Sequence, residues 1–321
     1  MYESRVDLSA IVDMAARIRT EIGKRVIGQR TFIDLLILSL LADGHVLIEG
    51  VPGVAKTLSA KLLARSVDVG FSRIQFTPDL MPSDILGTSV FNPKEAEFTF
   101  KPGPVFSNLV LIDEVNRAPA KTQSALFEVM EERQVTFDGT RYPMDEPFLV
   151  LATQNPLEHE GTYRLPEAQL DRFLVKVEVN YPASAEEVEM LTRYHAGQTA
   201  DDLGDIEAVV TAEHIAQARA AVAGVHVEPN VLQYIVSLVA QTRDHPMLSL
   251  GASPRASIAL LATSRAQAAL NGRDFVQPED VQHLLAPVLR HRIMLTPEQE
   301  MEGQRPDDAI RRIAEAVEVP R

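Results

Sequence analysis

A strand, a tight loop and a helix are predicted to follow one another between residues 45 and 66. The apolar run at 45–49 is typical of a buried strand, and residues 57–66 have the apolar spacing of a helix. The segment between them, GVPGVAKT at residues 50–57, contains two glycines and a proline. This order directs successive backbone N–H groups and a helix N-terminus toward one point, which favours an anion such as phosphate.

The loop matches the pattern G-x-x-x-x-G-K-[ST] of phosphate-binding loops, except that Ala55 occupies the position of the second glycine. In this pattern the catalytic Lys56 reaches the β and γ phosphates, and the Thr57 hydroxyl is a ligand of Mg²⁺. The residues expected to bind nucleotide here are Gly50, Val51, Pro52, Gly53, Val54, Ala55, Lys56, Thr57 and Leu58. Alanine at position 55 requires right-handed backbone angles, because glycine adopts left-handed ones without steric cost and alanine does not. A surface turn that merely resembles the pattern is the alternative.

A second apolar run, at residues 109–113, ends in two consecutive carboxylates, Asp113 and Glu114, the form of a Walker B motif. Alternation along a strand directs neighbouring side chains to opposite faces. We therefore expect Asp113 to hold the hydration shell of Mg²⁺ and Glu114 to face an attacking water as the general base. A solvated start of a loop is the alternative, and the phosphate-binding loop upstream argues against it.

The remaining apolar runs predict a mainly parallel, doubly wound sheet. Strands are expected at 71–77, 148–153 and 173–179, because segments long enough for crossover helices separate them. Amphipathic spacing predicts helices ahead of the first strand, at 8–22 and 31–42. Two β-hairpins interrupt the alternation; they are expected at 88–100 and 134–142, the second around Asp138-Gly139, which suits a type I′ turn.

After Val179 the patterns become helical, and a chain of 321 residues has room for two domains. A capping box at residues 184–187 predicts the start of a helix just after Tyr181-Pro182. Further helices are predicted at 211–222, 229–242, 253–270, 278–290 and 307–317. We expect residues 1–181 to form an α/β nucleotide-binding domain, with the N-terminal helix and both hairpins, and residues 182–321 to form a helical lid domain.

The composition narrows the classes of function. There are 45 Asp and Glu against 31 Lys and Arg, for a net charge of -14, so we do not expect nucleic acid as a partner unless a local basic groove exists. The chain has no cysteine, which excludes disulfides, thiolate metal sites and a cysteine nucleophile. The amino terminus lacks the pattern of a secretory signal, and the apolar run at 35–42 is too short to span a bilayer. We therefore expect a cytoplasmic protein without membrane insertion.

Five segments, taken in order, resemble the motifs of MoxR-type AAA+ ATPases, which belong to the magnesium chelatase-like clade. They are GVPGVAKT (50–57), LIDEVNR (111–117), ATQNP (152–156), LPEAQLDRF (165–173) and GASPRA (251–256). The resemblance covers nearly the whole chain, and alanine before the lysine is similar to this family's own loop. It implies a three-layer α/β/α domain with a mainly parallel, five-stranded sheet, followed by an all-α lid. It also implies ATP hydrolysis, with ATP or ADP and Mg²⁺ bound between the domain and the lid.

The same resemblance implies roles for residues outside the loop. Asn155 matches the sensor 1 position, which orients the attacking water, and a cap of the turn before Pro156 is the local alternative. Arg172 matches the arginine finger that reaches the γ-phosphate of a neighbouring subunit, and a salt bridge to a nearby acid is its alternative. Arg255 matches the sensor 2 arginine of the lid. The adenine pocket is implied to include Ile27, Gly28 and Gln29.

The family resemblance further implies a homo-oligomeric ring, expected to be a hexamer, in which hydrolysis drives rotation of the lid. Its output would be chaperone-like remodelling of a protein client, in maturation or in cofactor or metal insertion of a complex, with a von Willebrand factor A domain protein as an expected partner. Aromatic residues of the hairpins are candidates for client contact, or for packing across strands: Phe98, Phe100, Phe137 and Tyr142. Two rivals remain: a ring scaffold that binds ATP with little hydrolysis, and a DNA- or transcription-related AAA+ remodeller.

Overall fold

The computed structural model describes residues 6–51, 53–94, 96–155, 163, 165–197 and 203–320. The helices are α1 Ser9–Gly23, α2 Arg30–Leu41, α3 Lys56–Ser66, α4 Pro82–Leu86, α5 Ala120–Glu132, α6 Glu167–Leu170, α7 Ser184–His195, α8 Ala212–Ala223, α9 Pro229–Gln241, α10 Pro254–Leu270, α11 Pro278–Leu289, α12 Pro297–Met301 and α13 Pro306–Ala316. The strands are β1 Val46–Gly50, β2 Phe71–Gln75, β3 Gly87–Asn92, β4 Glu97–Pro102, β5 Leu109–Asp113, β6 Gln134–Phe137, β7 Thr140–Pro143, β8 Leu149–Gln154, β9 Val175–Val179, β10 Leu248–Leu250 and β11 Met294–Leu295.

Five parallel strands form the central sheet, in the order β2-β5-β8-β1-β9. Every residue of β5 is buried, because helices cover both faces of a parallel sheet. The predicted five-stranded parallel sheet is therefore confirmed. We call the edge of the sheet where the strands end, at Gly50 and Asp113, the carboxyl edge. The amino edge is the opposite one, where the Leu174 N–H donates to the His45 carbonyl oxygen at 2.8 Å.

The two expected hairpins form outside this sheet, one from β3 and β4 and the other from β6 and β7. Asp138 and Gly139 both have positive φ, at 46° and 77°, as a type I′ turn requires. The hairpins meet through Phe100, whose ring centroid lies 4.4 Å from that of Tyr142 and 5.1 Å from that of Phe137. Three of the four candidate aromatic residues thus pack on one another. The fourth, Phe98, packs across its hairpin on Phe91, with the ring centroids 5.2 Å apart, but is 72% exposed.

Helices dominate the chain after β9, together with the short antiparallel pair β10 and β11. Helix α7 begins at Ser184, but the predicted capping box is one residue too late. Ala183 is the extended N-cap residue, and its N–H donates to the Glu186 carboxylate at 2.8 Å. The longest described helix, α10, has 17 residues, and no helix in the described ranges is long and apolar enough to cross a membrane.

One continuous apolar core joins the two parts of the chain. It extends from α1 and α2 through one face of the sheet into the lid helices, and buried residues that represent these elements are Ile18, Leu36, Ile48, Leu238 and Leu285. A separate core fills the other face of the sheet, around Phe127 and Phe148. A large apolar interface restricts motion between domains. The shared core therefore opposes the expected rotation of the lid on its own α/β domain, and the border between residues 181 and 182 stays a prediction.

Candidate nucleotide site

The phosphate-binding loop lies at the carboxyl edge, because it connects the end of β1 to the first residue of α3. Gly53 has φ +85° and Ala55 has φ +59°, so both are left-handed. The expectation of a right-handed Ala55 was wrong. Ala55 is the N-cap residue of α3, and its carbonyl oxygen accepts the first helical hydrogen bond, from the Ser59 N–H at 2.9 Å. A left-handed alanine costs about 1–2 kcal/mol. Contacts at the junction of the loop and α3 must offset this strain. Pro52 lies outside the described residues.

Lys56 is held inside the loop, where its ammonium donates to the Gly50 carbonyl oxygen at 2.5 Å. Burial lowers the pKa of Lys56, while the nearby carboxylates of Asp113, Glu114 and Glu49 act in the opposite direction. The ammonium thus lies among acidic groups at the point where the loop turns into α3. A phosphate bound in the loop would interact with both the Lys56 ammonium and the backbone N–H groups of the loop.

Asp113 ends β5 and is only 8% exposed. Two hydrogen bonds fix its carboxylate. One oxygen accepts from Arg73 Nε at 2.6 Å and the other from the Thr153 hydroxyl at 3.2 Å. Strand β8 lies between β1 and β5, so the acids stand two strands away from the phosphate-binding loop rather than on the next strand.

The Glu114 backbone leaves the strand, so strand alternation does not set the direction of its side chain. Its φ is +56°, and it begins the 3-10 turn Val115–Arg117. Its N–H donates to the Thr153 hydroxyl at 3.0 Å, so one threonine positions both acids. The Glu114 carboxylate accepts from Gln75 Nε2 at 3.0 Å and pairs with Arg117 Nε at 3.3 Å.

The donors around the loop fit Mg²⁺ bound together with a nucleotide. Mg²⁺ prefers oxygen ligands and is usually held by one or two protein groups in addition to phosphates. The Thr57 hydroxyl at the start of α3 and the Asp113 carboxylate are such groups, and Arg73, which now pairs with Asp113, is more than half exposed. Within the described ranges, no cluster of three or more His, Cys, Asp or Glu residues could hold a metal without other ligands.

The predicted sensor 1 and adenine segments also lie at this edge. Asn155 directly follows β8, and β8 pairs with β5 as expected. Gly28 has φ +66°, which favours glycine, and a Cβ there would lie 2.4 Å from the Glu186 carboxylate, so Glu186 would have to move to admit a larger residue. Next to it, Gln29 Nε2 donates to the Asn180 carbonyl oxygen at 2.9 Å. Ile27, which precedes them, is partly buried. The segment at 27–29 is thus fixed against the chain that leaves β9.

The two predicted arginines lie together at the amino edge. Arg255 pairs with Glu131 at 2.8 Å, and Arg172 lies 3.8 Å from the same carboxylate and donates to the Phe127 carbonyl oxygen at 2.5 Å. The length of β1, five residues or about 16 Å, separates this edge from the phosphate-binding loop. Arg255 therefore lies at the edge opposite the phosphate-binding loop of its own chain, and its role as the sensor 2 arginine stays a prediction. The lid is packed through the shared core, and this packing keeps Arg255 at the other edge.

The lid also holds the segment that carries Arg172. Asp171 accepts from the Ser253 hydroxyl at 2.8 Å and from Arg292 Nε at 2.9 Å. The Arg292 guanidinium is buried and donates to the Leu174 carbonyl oxygen at 3.0 Å. Burial lowers the pKa of Arg292 to about 10, so it stays charged at neutral pH. The charged pair with Asp171 thus fixes Arg172 and Arg255 relative to each other.

Several of these groups were missed in the sequence. Gln75 ends β2, and the rule that functional side chains gather at the ends of parallel strands could have found it. Thr153 lies in the ATQNP segment, but its sequence position does not indicate that its hydroxyl contacts both acids. Glu131 and Arg292 had no signal, because their partners come from distant parts of the chain.

The strand order, with a phosphate-binding loop after β1, an acidic pair after β5 and a helical lid, defines a P-loop ATPase of the AAA+ class. Comparisons with known proteins agree with this class. Residues 45–175 match the ATPase family associated with various cellular activities (AAA), and residues 240–313 match the AAA lid domain. A crystal structure of a Cytophaga hutchinsonii protein described as an ATPase superimposes with a TM-score of 0.89 at 42% identity, covering 97% of this chain and 96% of that one.

Sequence relatives specify the family. The chain is 44% identical to Chaperone MoxR1 of Mycobacterium tuberculosis, over 98% of this chain and 84% of that protein. It is 32% identical to Protein MoxR of Methylorubrum extorquens, over 96% of both. It is also 47% identical to the uncharacterized protein YeaC of Bacillus subtilis, over 93% of this chain and 92% of that protein. The chain belongs to the MoxR family of AAA+ ATPases.

Proposed function

We propose that this ATPase works as a ring, expected to be a hexamer, in which two neighbouring subunits form each Mg·ATP site. The observation that supports this is the division of the site residues between two edges. Lys56, Asp113 and Glu114 belong to the carboxyl edge, and Arg172 and Arg255 to the amino edge about 16 Å away. A head-to-tail contact between copies brings one copy's amino edge to the next copy's carboxyl edge, and such contacts can close into rings.

At the carboxyl edge each residue has a defined task. The amides of residues 50–57 and Lys56 bind the phosphates, and Thr57 and Asp113 hold Mg²⁺, which neutralises charge on the β and γ phosphates. Glu114 takes the proton of the attacking water once its carboxylate leaves Gln75 and Arg117, and the Asn155 amide orients that water. Ile27, Gly28 and Gln29 line the adenine pocket, beside Glu186.

At the amino edge, Arg172 and Arg255 exchange Glu131 for the γ-phosphate of the next subunit. Both ion pairs with Glu131 are partly exposed, so they are weak and easily replaced. An arginine supplied in trans can raise the rate of hydrolysis by about a thousandfold or more. Because the lid shares a core with its own α/β domain, we infer that nucleotide-driven motion occurs between subunits.

Mixing two inactive variants tests this arrangement. Glu114→Gln lacks the base but keeps its arginines, and Arg172→Ala lacks an arginine but keeps its base. Random mixing of equal amounts creates about a quarter of interfaces with one intact base and one intact arginine. We expect each variant alone to be nearly inactive and the mixture to regain about that share of wild-type turnover. The matched control mixes Glu114→Gln with Lys56→Ala. Lys56 and Glu114 belong to the same edge of one chain, so no interface in this mixture has both residues intact, and turnover should not recover.

Two results would contradict the proposal. Full turnover by Arg172→Ala would remove the arginine from the site, and a mixture as inactive as its components would show that each chain uses its own groups. Recovery of turnover would also exclude the scaffold that binds ATP without hydrolysis.

We further propose that the work output is chaperone-like remodelling of a protein client, with a von Willebrand factor A domain protein as a candidate partner. The relative named Chaperone MoxR1 supports the first part. The exposed Phe98 on the hairpin of β3 and β4 is a candidate contact. Affinity purification with the Glu114→Gln variant under ATP should enrich a client, and adding Phe98→Ser to that variant should reduce the amount of client retained. If both proteins retain the client equally, Phe98 is not a client contact.

A further inference from the structure

Helix α7 leaves its apolar side uncovered. Within the described part of the chain, none of the residues of Ser184–His195 is buried. Val188, Leu191 and Tyr194 expose 63%, 69% and 71% of their surface. They recur every three residues, so they lie along one side of the helix. We call these three residues the α7 stripe.

The opposite, polar side of α7 contacts the rest of the chain. Glu186 and Arg193 are seven residues apart, which places them on one face. Glu186 lies against Gly28, and Arg193 donates to the carbonyl oxygens of Gly23 at 3.0 Å and Lys24 at 3.1 Å. An amphipathic helix of an isolated protein turns its apolar side inward. The reversed orientation of α7 indicates that another surface covers the α7 stripe.

The position of α7 next to the nucleotide site indicates which partner docks on the α7 stripe. The helix follows β9 at the carboxyl edge, and its first turn lies against the predicted adenine segment through Glu186 and Gly28. A molecule seated on the α7 stripe therefore lies beside the nucleotide site. The residues missing from that site in one chain are Arg172 and Arg255.

The amino edge presents a matching surface. Ile258 on α10 is 68% exposed and lies one turn after Arg255. It lines one cleft with Arg133, Arg172 and Arg255. We call Ile258 and these three arginines the Ile258 surface. Asp43 and Glu131 line the same cleft and pair with these arginines, so the Ile258 surface combines an apolar centre with an excess of one positive charge.

Helix α7 carries an acidic residue on its apolar side. Glu187 is exposed and lies one turn before Leu191, whereas Glu189 lies on the opposite side and pairs with Arg193. Both surfaces therefore expose apolar side chains, and the charge of Glu187 is opposite in sign to the net charge of the cleft, which favours their association over contact between two identical edges. Both are present once on every copy, at opposite edges, as a ring of identical subunits requires.

We propose that the α7 stripe docks a second copy of this chain through the Ile258 surface, and that this contact brings Arg172 and Arg255 to the neighbour's nucleotide. The inference rests on the proposed function and names the helix through which the site is completed. The contact is heterologous, so each copy uses both surfaces at once.

Substitutions on the exposed side of α7 test the proposal without disturbing the core. Leu191→Glu places a charge in the contact while keeping a good helix former. We expect Mg·ATP-dependent assembly, measured by sedimentation velocity over a concentration series, to weaken by roughly tenfold to a hundredfold per contact. Val236→Glu on α9 is the matched control, because Val236 is also a helical residue and is 51% exposed. It should assemble like the wild type.

A paired substitution tests the partner surface. Ile258→Lys alone should weaken assembly as Leu191→Glu does, and the chain that carries both should assemble within about tenfold of wild type, because opposite charges then meet. Tyr194→Glu is a second variant of the α7 stripe, and circular dichroism checks that each variant is folded.

The outcomes separate the two proposals. Assembly of folded Leu191→Glu and Tyr194→Glu at wild-type concentrations overturns the docking of a second copy on α7, and wild-type assembly of Ile258→Lys overturns the choice of partner surface. A fluorescent ATP analogue, titrated into dilute protein, reports nucleotide binding independently. Leu191→Glu should bind it as the wild type does; failure of the wild type to bind would instead overturn the proposed function.

Discussion

His45 should make the stability of this protein depend on pH in the mildly acidic range. It precedes β1, is 4% exposed, and its neutral ring bridges two elements. Nδ1 accepts from the Val150 N–H at 3.0 Å, so Nε2 carries the proton and donates to the Met130 carbonyl oxygen at 3.1 Å. Protonation of Nδ1 would point the new Nδ1–H at the Val150 N–H. Two donors cannot form a hydrogen bond, so the contact with β8 would be lost.

Burial lowers the pKa of His45 from 6.5 to about 4, with Arg133 and Arg219 acting in the same direction and Asp43 against it. The unfolded chain therefore binds the proton first as the pH falls. The stabilisation is fully present above pH 6.5 and is lost as the pH falls toward 4. A difference of this size corresponds to about 3 kcal/mol of unfolding free energy.

Urea denaturation between pH 4 and 7.5 measures this contribution, with the variant His45→Gln as the reference. Glutamine can accept and donate at the same two positions but does not titrate. We expect the wild type to lose about 3 kcal/mol more than the variant between pH 6.5 and 4. A difference between the two proteins that stays constant over this range would refute the reasoning.

Two other changes follow from the site. Ala55→Gly should raise the free energy of unfolding by up to about 1 kcal/mol in urea denaturation, because glycine relieves the left-handed strain at φ +59°; a less stable variant would contradict that geometry. Thr153→Val removes the hydroxyl shared by Asp113 and Glu114 and should lower the free energy of unfolding by about 1–3 kcal/mol, together with ATP turnover. Unchanged stability and turnover would show that Thr153 does not position the acids.

The strands of the central sheet were predictable because each is a short apolar run that is buried on both faces. The runs at 109–113 and 148–153 correspond to β5 and β8 within a residue at each end. The same regularity placed Asn155 beside the acidic strand. Secondary-structure elements are predictable from the sequence where a pattern of burial repeats along consecutive residues.

Backbone geometry at junctions was not predictable in this way. Ala55 and Glu114 are both left-handed, each at the point where a strand or loop passes into a helical turn. Residue type alone argues against such angles, and the surrounding contacts impose them. The predicted alternation of Asp113 and Glu114 failed for this reason. Their carboxylates contact Arg73 and Gln75, which lie two residues apart on the same face of β2.

The position of side chains that depends on contacts between distant parts of the chain was also not predictable. Arg172 and Arg255 were recognised by their motifs, but their motifs do not state which edge of the sheet they occupy. That edge is set by the shared core of α1, α2 and the lid helices and by the contact between Asp171 and Arg292. The exposure of the α7 stripe was likewise not predictable. Apolar residues at intervals of three or four positions predict a helix, but not whether its apolar side faces the core or the solvent.

The central claim is that the residues at the carboxyl edge bind Mg·ATP by themselves, before any neighbour contributes. Isothermal titration of Mg·ATP into dilute, monomeric protein tests it most directly. We predict one site per chain for the wild type, the same affinity for Arg255→Ala, and an affinity roughly tenfold to a hundredfold weaker for Lys56→Ala. Absence of binding by the folded wild type, or equal losses for Arg255→Ala and Lys56→Ala, would contradict it.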